Sequence, residues 1–387
     1  CLWKCNDACS KPVPNTSDSE YFGDVVAASR RSVLKAGGAA AALAGLTTAA
    51  GTALAEPAVA APGPGKTAPF GFTGIDPVNA GTDEVVVPEG FRWAPIIAWG
   101  DPVLAGAPAF DFDHQTAAAQ AGQMGYNCDY VGVLRNGSAN QAVLVVNNEY
   151  TNNELMFHGY TDAASLTDDQ VQITMNAHGL TVVEMTRKNA NSKWVYTKAA
   201  PLNRRITAET PFELVGPVRG SDLVKTSADP AGTTPLGTFG NCAGGTTPWG
   251  TILSGEENFN GYFTQPAAPS DDLAGEDAAR YGLAGGSAAQ HNWDRLDDRF
   301  DLTKEPNEAH RHGWIVEVNP FEPDAKPRKL SALGRFKHEG ANVVVAGDGR
   351  VVVYMGDDER FDYMYKFVSA DTYVEGDAAA NRTLLDE

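Results

Sequence analysis

Val343-Val344-Val345, Ala346-Gly347-Asp348-Gly349-Arg350 and Val351-Val352-Val353-Tyr354 read as strand, turn and strand. β-Branched residues suit a pleated strand, and the Asp-Gly step supplies the positive φ that a tight hairpin needs. The same alternation of short apolar run and turn cluster extends outward from this hairpin. Cys128 to Leu134, Ala142 to Val146, Leu180 to Met185, Lys193 to Thr197, Gly250 to Leu253 and Trp314 to Val318 are all strand-like runs bounded by Gly, Asn, Asp or Pro. Only Asp168 to Asn176 and a few Ala-rich patches read as helix. Forty glycines and 23 prolines in 387 residues fit many short elements joined by tight turns. The expectation is an all-β chain, a sandwich or a β-propeller, with the length favouring the propeller. No repeat of constant sequence is visible, and no G-x-G-x-x-G or G-x-x-x-x-G-K-[ST] phosphate loop occurs.

A net charge of -19 argues against nucleic acid and anionic membranes as partners, because both demand a basic face. An acidic chain can still handle phosphate if cations reverse the local charge. Of five cysteines, Cys1, Cys5 and Cys9 crowd the start, leaving Cys128 and Cys242 in the body, so no disulfide framework is expected.

Ser29-Arg30-Arg31-Ser32-Val33-Leu34-Lys35, an apolar stretch from Ala36 to Ala50 and Ala53-Leu54-Ala55 follow in the order of a twin-arginine signal. The stretch is short and Ala-rich, unlike a span of about twenty strongly apolar residues. Residues 1–55 are therefore expected to engage the twin-arginine translocase and be removed. That leaves a periplasmic or secreted protein with no stable membrane insertion. Residues 56–82, rich in Pro, Ala and Gly, read as a linker, and 83–387 as the working domain. The chain starts at Cys1 and stops soon after its last strand-like run, so it is expected to be clipped at both ends.

Four polar clusters sit at the ends of apolar strands, where a propeller gathers side chains around its channel. They are Asn147-Asn148-Glu149, Asn241-Cys242 through Glu256-Glu257-Asn258, Lys337-His338-Glu339 and Asp357-Asp358-Glu359. Carboxylates and amide oxygens suit hard cations such as calcium, and a lone thiolate beside them points to a transition metal. Taken one at a time, each cluster also reads as turn caps on a solvated face, and Cys242 as a small packed residue. The seven histidines show no H-E-x-x-H spacing, and no G-x-S-x-G elbow is present.

Asn241-Cys242-Ala243-Gly244-Gly245 running through Trp249-Gly250-Thr251 to Glu256-Glu257-Asn258, with Phe336-Lys337-His338-Glu339 and Tyr354-Met355-Gly356-Asp357-Asp358, resembles the PhoX-type alkaline phosphatases. The resemblance extends from about Pro88 to Val368 and includes the twin-arginine leader. It implies a six-bladed propeller holding iron(III) and calcium, which hydrolyses phosphomonoesters outside the cytoplasm. It implies Cys242 as an iron ligand, with Glu256 or Glu257, and Glu339, as further ligands. Glu149 and Asp357 are the calcium-ligand candidates, and no protein nucleophile is assigned. The R-P-E segment of that family does not occur before Glu387. The competing readings are a calcium-dependent propeller lactonase or esterase, needing no thiolate, and an exported propeller that only binds a partner.

Overall fold

A computed structural model describes residues 72–79, 81–265, 278–283, 286 and 289–387. The export signal at 1–55 and the linker up to residue 71 lie outside the described residues. The chain divides into two compact units, Cys1–Pro95 and Ile96–Glu387. In the first, the described residues form turns, with the Phe72 and Phe91 rings edge to face at 5.8 Å.

The second unit is built from three mainly antiparallel sheets. In the first sheet, β1 (Cys128–Asn136), β2 (Ser138–Asn148), β3 (Gly179–Thr186) and β4 (Val195–Tyr196) lie in sequence order, and β5 (Arg204–Ile206) also pairs with β3. The second sheet contains β6 (Glu213–Val215), β7 (Asn241–Thr246), β8 (Ile252–Glu256), β9 (Ile315–Val318) and β10 (Arg328–Leu330), in the order β6-β10-β9-β8-β7. Its one parallel pair is β6 with β10. The third sheet is the meander β11 (Asn342–Val345), β12 (Arg350–Gly356) and β13 (Met364–Thr372). The all-β expectation holds. No closed ring of blades is present among the described residues.

Local chemistry accounts for these elements. The Val343 and Val351 runs pair as expected, closed by Ala346 N–H donating to Arg350 O at 2.8 Å with Gly349 at φ 88°. The run expected at Gly250 to Leu253 instead starts at Ile252. Gly250, at φ 89°, belongs to a turn in which Thr247 N–H donates to Thr251 O at 2.9 Å. The helix α1 (Asp168–Ala177) starts in a capping box: Gln170 N–H donates to Thr167 Oγ1 at 3.2 Å, and Thr167 N–H to Gln170 Oε1 at 2.9 Å. Its buried Val171, Ile173 and Met175 join an aromatic core around Phe239, Tyr262, Trp293 and Phe300. Each such side chain contributes roughly 1.5–3 kcal/mol on burial. Among the described residues no helix is long and apolar enough to cross a membrane.

Candidate metal centre

Three hairpins with the same construction meet at one point. In the first, Cys128 pairs with Asn148, and a register shift then leaves Asp129 and Tyr130 opposite Asn147 alone. In the second, Asn241 pairs with Glu256, and Cys242 and Ala243 oppose Gly255 alone. In the third, His338 bridges Asp357, and Glu339 follows before regular pairing resumes at Asn342 and Tyr354. Each mouth closes alike: Glu149 N–H donates to Asn127 O at 3.1 Å, Glu257 N–H to Gly240 O at 2.9 Å and Asp358 N–H to Lys337 O at 3.0 Å. Asn127 and Gly240 both take positive φ, 55° and 61°. A bulge re-aims the residue that follows the last regular pair. Every hairpin therefore offers one residue from its bulge and one from just past its second strand: Asp129 with Glu149, Cys242 with Glu257, and Glu339 with Asp358.

Those six side chains converge. Ligand atoms of Asp129, Glu149 and Cys242 all lie within 4.8 Å of one another, and Cys242 Sγ–H donates to Asp129 Oδ2 at 3.7 Å. Glu149 is within hydrogen-bonding reach of Cys242 and Glu257, and Glu257 of Cys242 and Asp358. Cys242 and Glu257 are buried at the floor, Glu149 is half-buried, and Asp129, Glu339 and Asp358 open to solvent. Asn147 ties the first two hairpins together, its fully buried Nδ2 donating to Cys242 O.

The electrostatics are one-sided. Burial, then the charge of Asp129, raises Glu149. Glu257 is pushed up to about 8 by burial, by a hydrogen bond with Asp358 and by the charges of Asp358 and Glu149. Burial and then Glu149, Glu257 and Asp129 drive the Cys242 thiol far above its usual range. Glu339 rises through burial and the charges of Asp358 and Asp129. Like charges held together keep protons unless a cation neutralises them. The donor set fits such a group, oxygens for a hard cation and one sulfur for a transition metal.

Two residues proposed from sequence stay outside the cluster. Glu256, fully buried, faces the other side of β8, where its Oε1 accepts from Lys329 Nζ at 2.6 Å and its Oε2 from the backbone N–H groups of Gly313 and Trp314 at 3.0 and 3.2 Å. Asp357 pairs with Arg280 Nη2 at 3.0 Å. Both occupy the paired position before the inner acid, and strand alternation turns that position away. Sequence reasoning missed Asp129 and assigned no role to Asp358, neither of which differs in type from other surface acids. It also missed Tyr262, a buried phenol whose ring stacks on His291 at 4.1 Å and whose hydroxyl is raised by burial and the charges of Glu149 and Glu257.

No curated protein matches the chain. A solved structure does: Pseudomonas fluorescens PhoX in complex with vanadate, a transition state analogue, is 44% identical with a TM-score of 0.71. The match covers 78% of this chain and 51% of that one, so the chain spans about half the length of that protein. The family profile described as alkaline phosphatase PhoX matches residues 70–387. With most of its length inside that profile, the chain belongs to the PhoX alkaline phosphatase family.

Proposed function

We propose that the chain is part of an exported phosphomonoesterase whose iron(III) and calcium are held by Asp129, Glu149, Cys242, Glu257, Glu339 and Asp358, in a six-bladed propeller. The observation that carries this reading is a thiol and two carboxyls with ligand atoms within 4.8 Å, one from each of three strand ends. When bound, the cations neutralise the phosphoryl oxygens of a phosphomonoester and act as Lewis acids towards them. Without that neutralisation the exposed Asp129, Glu339 and Asp358 repel a phosphate dianion.

Cys242, Glu149 and Glu257 must give up protons to ligate, which favours loading at higher pH. Tyr262 lies buried close enough to Glu149 and Glu257 for their charges to raise its hydroxyl, which is hydrogen-bonded to the Gly240 backbone. No side chain is assigned as nucleophile. The thiol inside the cluster favours a phosphatase over a calcium-dependent lactonase, which needs no sulfur ligand. The vanadate complex of the Pseudomonas protein supports in-line displacement at phosphorus as the reaction.

Metal analysis and p-nitrophenyl phosphate hydrolysis by the full-length protein test the assignment together. Protein that binds calcium but neither iron nor substrate ends it. Export through the twin-arginine translocase to the periplasm or medium rests on residues 29–55. Replacing Arg30 and Arg31 by lysine is expected to leave the precursor in the cytoplasm, and an unchanged exported yield contradicts that.

A further inference from the structure

Behind the cluster the three hairpins repeat a second feature. The residue directly before each inner acid turns its side chain the other way and meets a cation. Asn148 Oδ1 accepts from Arg205 Nη1 at 2.7 Å, Glu256 Oε1 from Lys329 Nζ at 2.6 Å, and Asp357 Oδ2 from Arg280 Nη2 at 3.0 Å. Arg205 and Lys329 reach in from β5 and β10, with 9% and 0% of their surface exposed.

Such groups are costly to bury. Arg205 spreads its charge over neutral oxygens alone, including the carbonyls of Asn176, His178 and Leu180 at 2.7, 3.1 and 3.1 Å. Apolar side chains of similar volume stabilise a core as well as a buried ion pair does, so stability alone gives no reason for the two buried cations, Arg205 and Lys329, at equivalent places.

Equivalent placement gives another reason. Glu149, Glu257 and Asp358 repel one another and tend to swing apart. Each is one peptide away from a side chain that a cation fixes. The Glu256 site reaches further, because its backbone O also accepts from His338 N–H at 3.3 Å, next to Glu339. A Cβ on Gly255 would meet His338 O at 2.3 Å, so the two hairpins have little room to slide.

We propose that Arg205, Lys329 and Arg280 are positioning residues, which hold Glu149, Glu257 and Asp358 facing one point before any cation arrives. The inference rests on the metal-centre reading above. The test is calcium affinity, by titration calorimetry with calcium alone, on metal-stripped full-length protein. The variant Glu256→Gln with Lys329→Met removes both charges and keeps the volume. Calcium affinity is expected to fall roughly ten- to hundredfold, as when a group that orients a ligand is lost.

The control is Glu317→Gln with Arg328→Met, a buried pair at 2.8 Å on β9 and β10, in which Arg328 also pairs with Asp386. It is expected to move thermal stability but leave calcium affinity unchanged. Arg280→Gln, at a side chain 41% exposed, gives a second variant that does not threaten folding, with an expected loss of roughly fivefold. In iron-loaded protein the visible thiolate-to-iron absorption is expected to shift in the Glu256/Lys329 variant and not in the control. Affinities within about twofold of wild type in both the Glu256/Lys329 and Arg280 variants overturn the proposal. Wild-type protein that takes up no calcium overturns the metal reading, and this one with it.

Discussion

Glu256 and Glu257 are neighbours in the chain and opposites in their surroundings. Burial raises Glu256, but the Lys329 ammonium and His312 outweigh it and hold the carboxyl down at about 2. Glu257, one residue on, is pushed up to about 8 by burial and by other acids. The back of the hairpins is thus electrostatically complete, while the front is complete only with a cation. Residue type does not decide which of two adjacent glutamates faces the cluster; the face of the strand does.

The largest expected effect attacks the back. Lys329→Ala removes the ammonium beside Glu256 at zero exposure, leaving it only the Gly313 and Trp314 N–H groups and His312, and should lower the unfolding free energy by roughly 3–5 kcal/mol in urea. A loss under about 1 kcal/mol would mean that the pair is not the anchor described.

At the front, Cys242→Ser exchanges a soft ligand for a poor one of similar volume. Iron content and phosphatase rate of the full-length protein should fall together, by at least about a hundredfold in rate, while melting temperature barely moves. If Cys242 only packs, the result inverts: stability drops by roughly 1–3 kcal/mol and iron stays.

Chelation reads the same contrast without mutation. Calcium bound at about a hundred times its Kd stabilises the native state by about 2.7 kcal/mol, so excess EGTA should lower the melting temperature correspondingly. An unchanged melting temperature with full activity breaks the comparison.

The smallest effect has the opposite sign. In metal-free protein Glu257→Gln removes a repelled carboxyl and should stabilise by about 1 kcal/mol, whereas Glu256→Gln should destabilise. Two changes of the same sign would show that the two faces do not differ as described.

Much of this was legible in the residues. Strand runs, the Val343–Tyr354 hairpin and the α1 helix follow from periodicity and turn chemistry, which act within a few residues. Cys242, Glu149, Glu257 and Glu339 were readable as polar residues ending apolar runs. Asp129 was not, because it lies inside a run that continues as a strand, and only the bulge opposite Asn147 turns it inward.

Sequence by itself therefore determined the class of structure, the places where strands end and the chemical types gathered there. Tertiary structure decided which of each adjacent pair faces the cluster, Glu257 over Glu256 and Asp358 over Asp357. It also brought Arg205 and Lys329 behind residues 57 and 73 positions away in the chain. The reason is register: a shift of one residue reverses the face of every side chain in a strand, and pairing with a partner strand sets that shift.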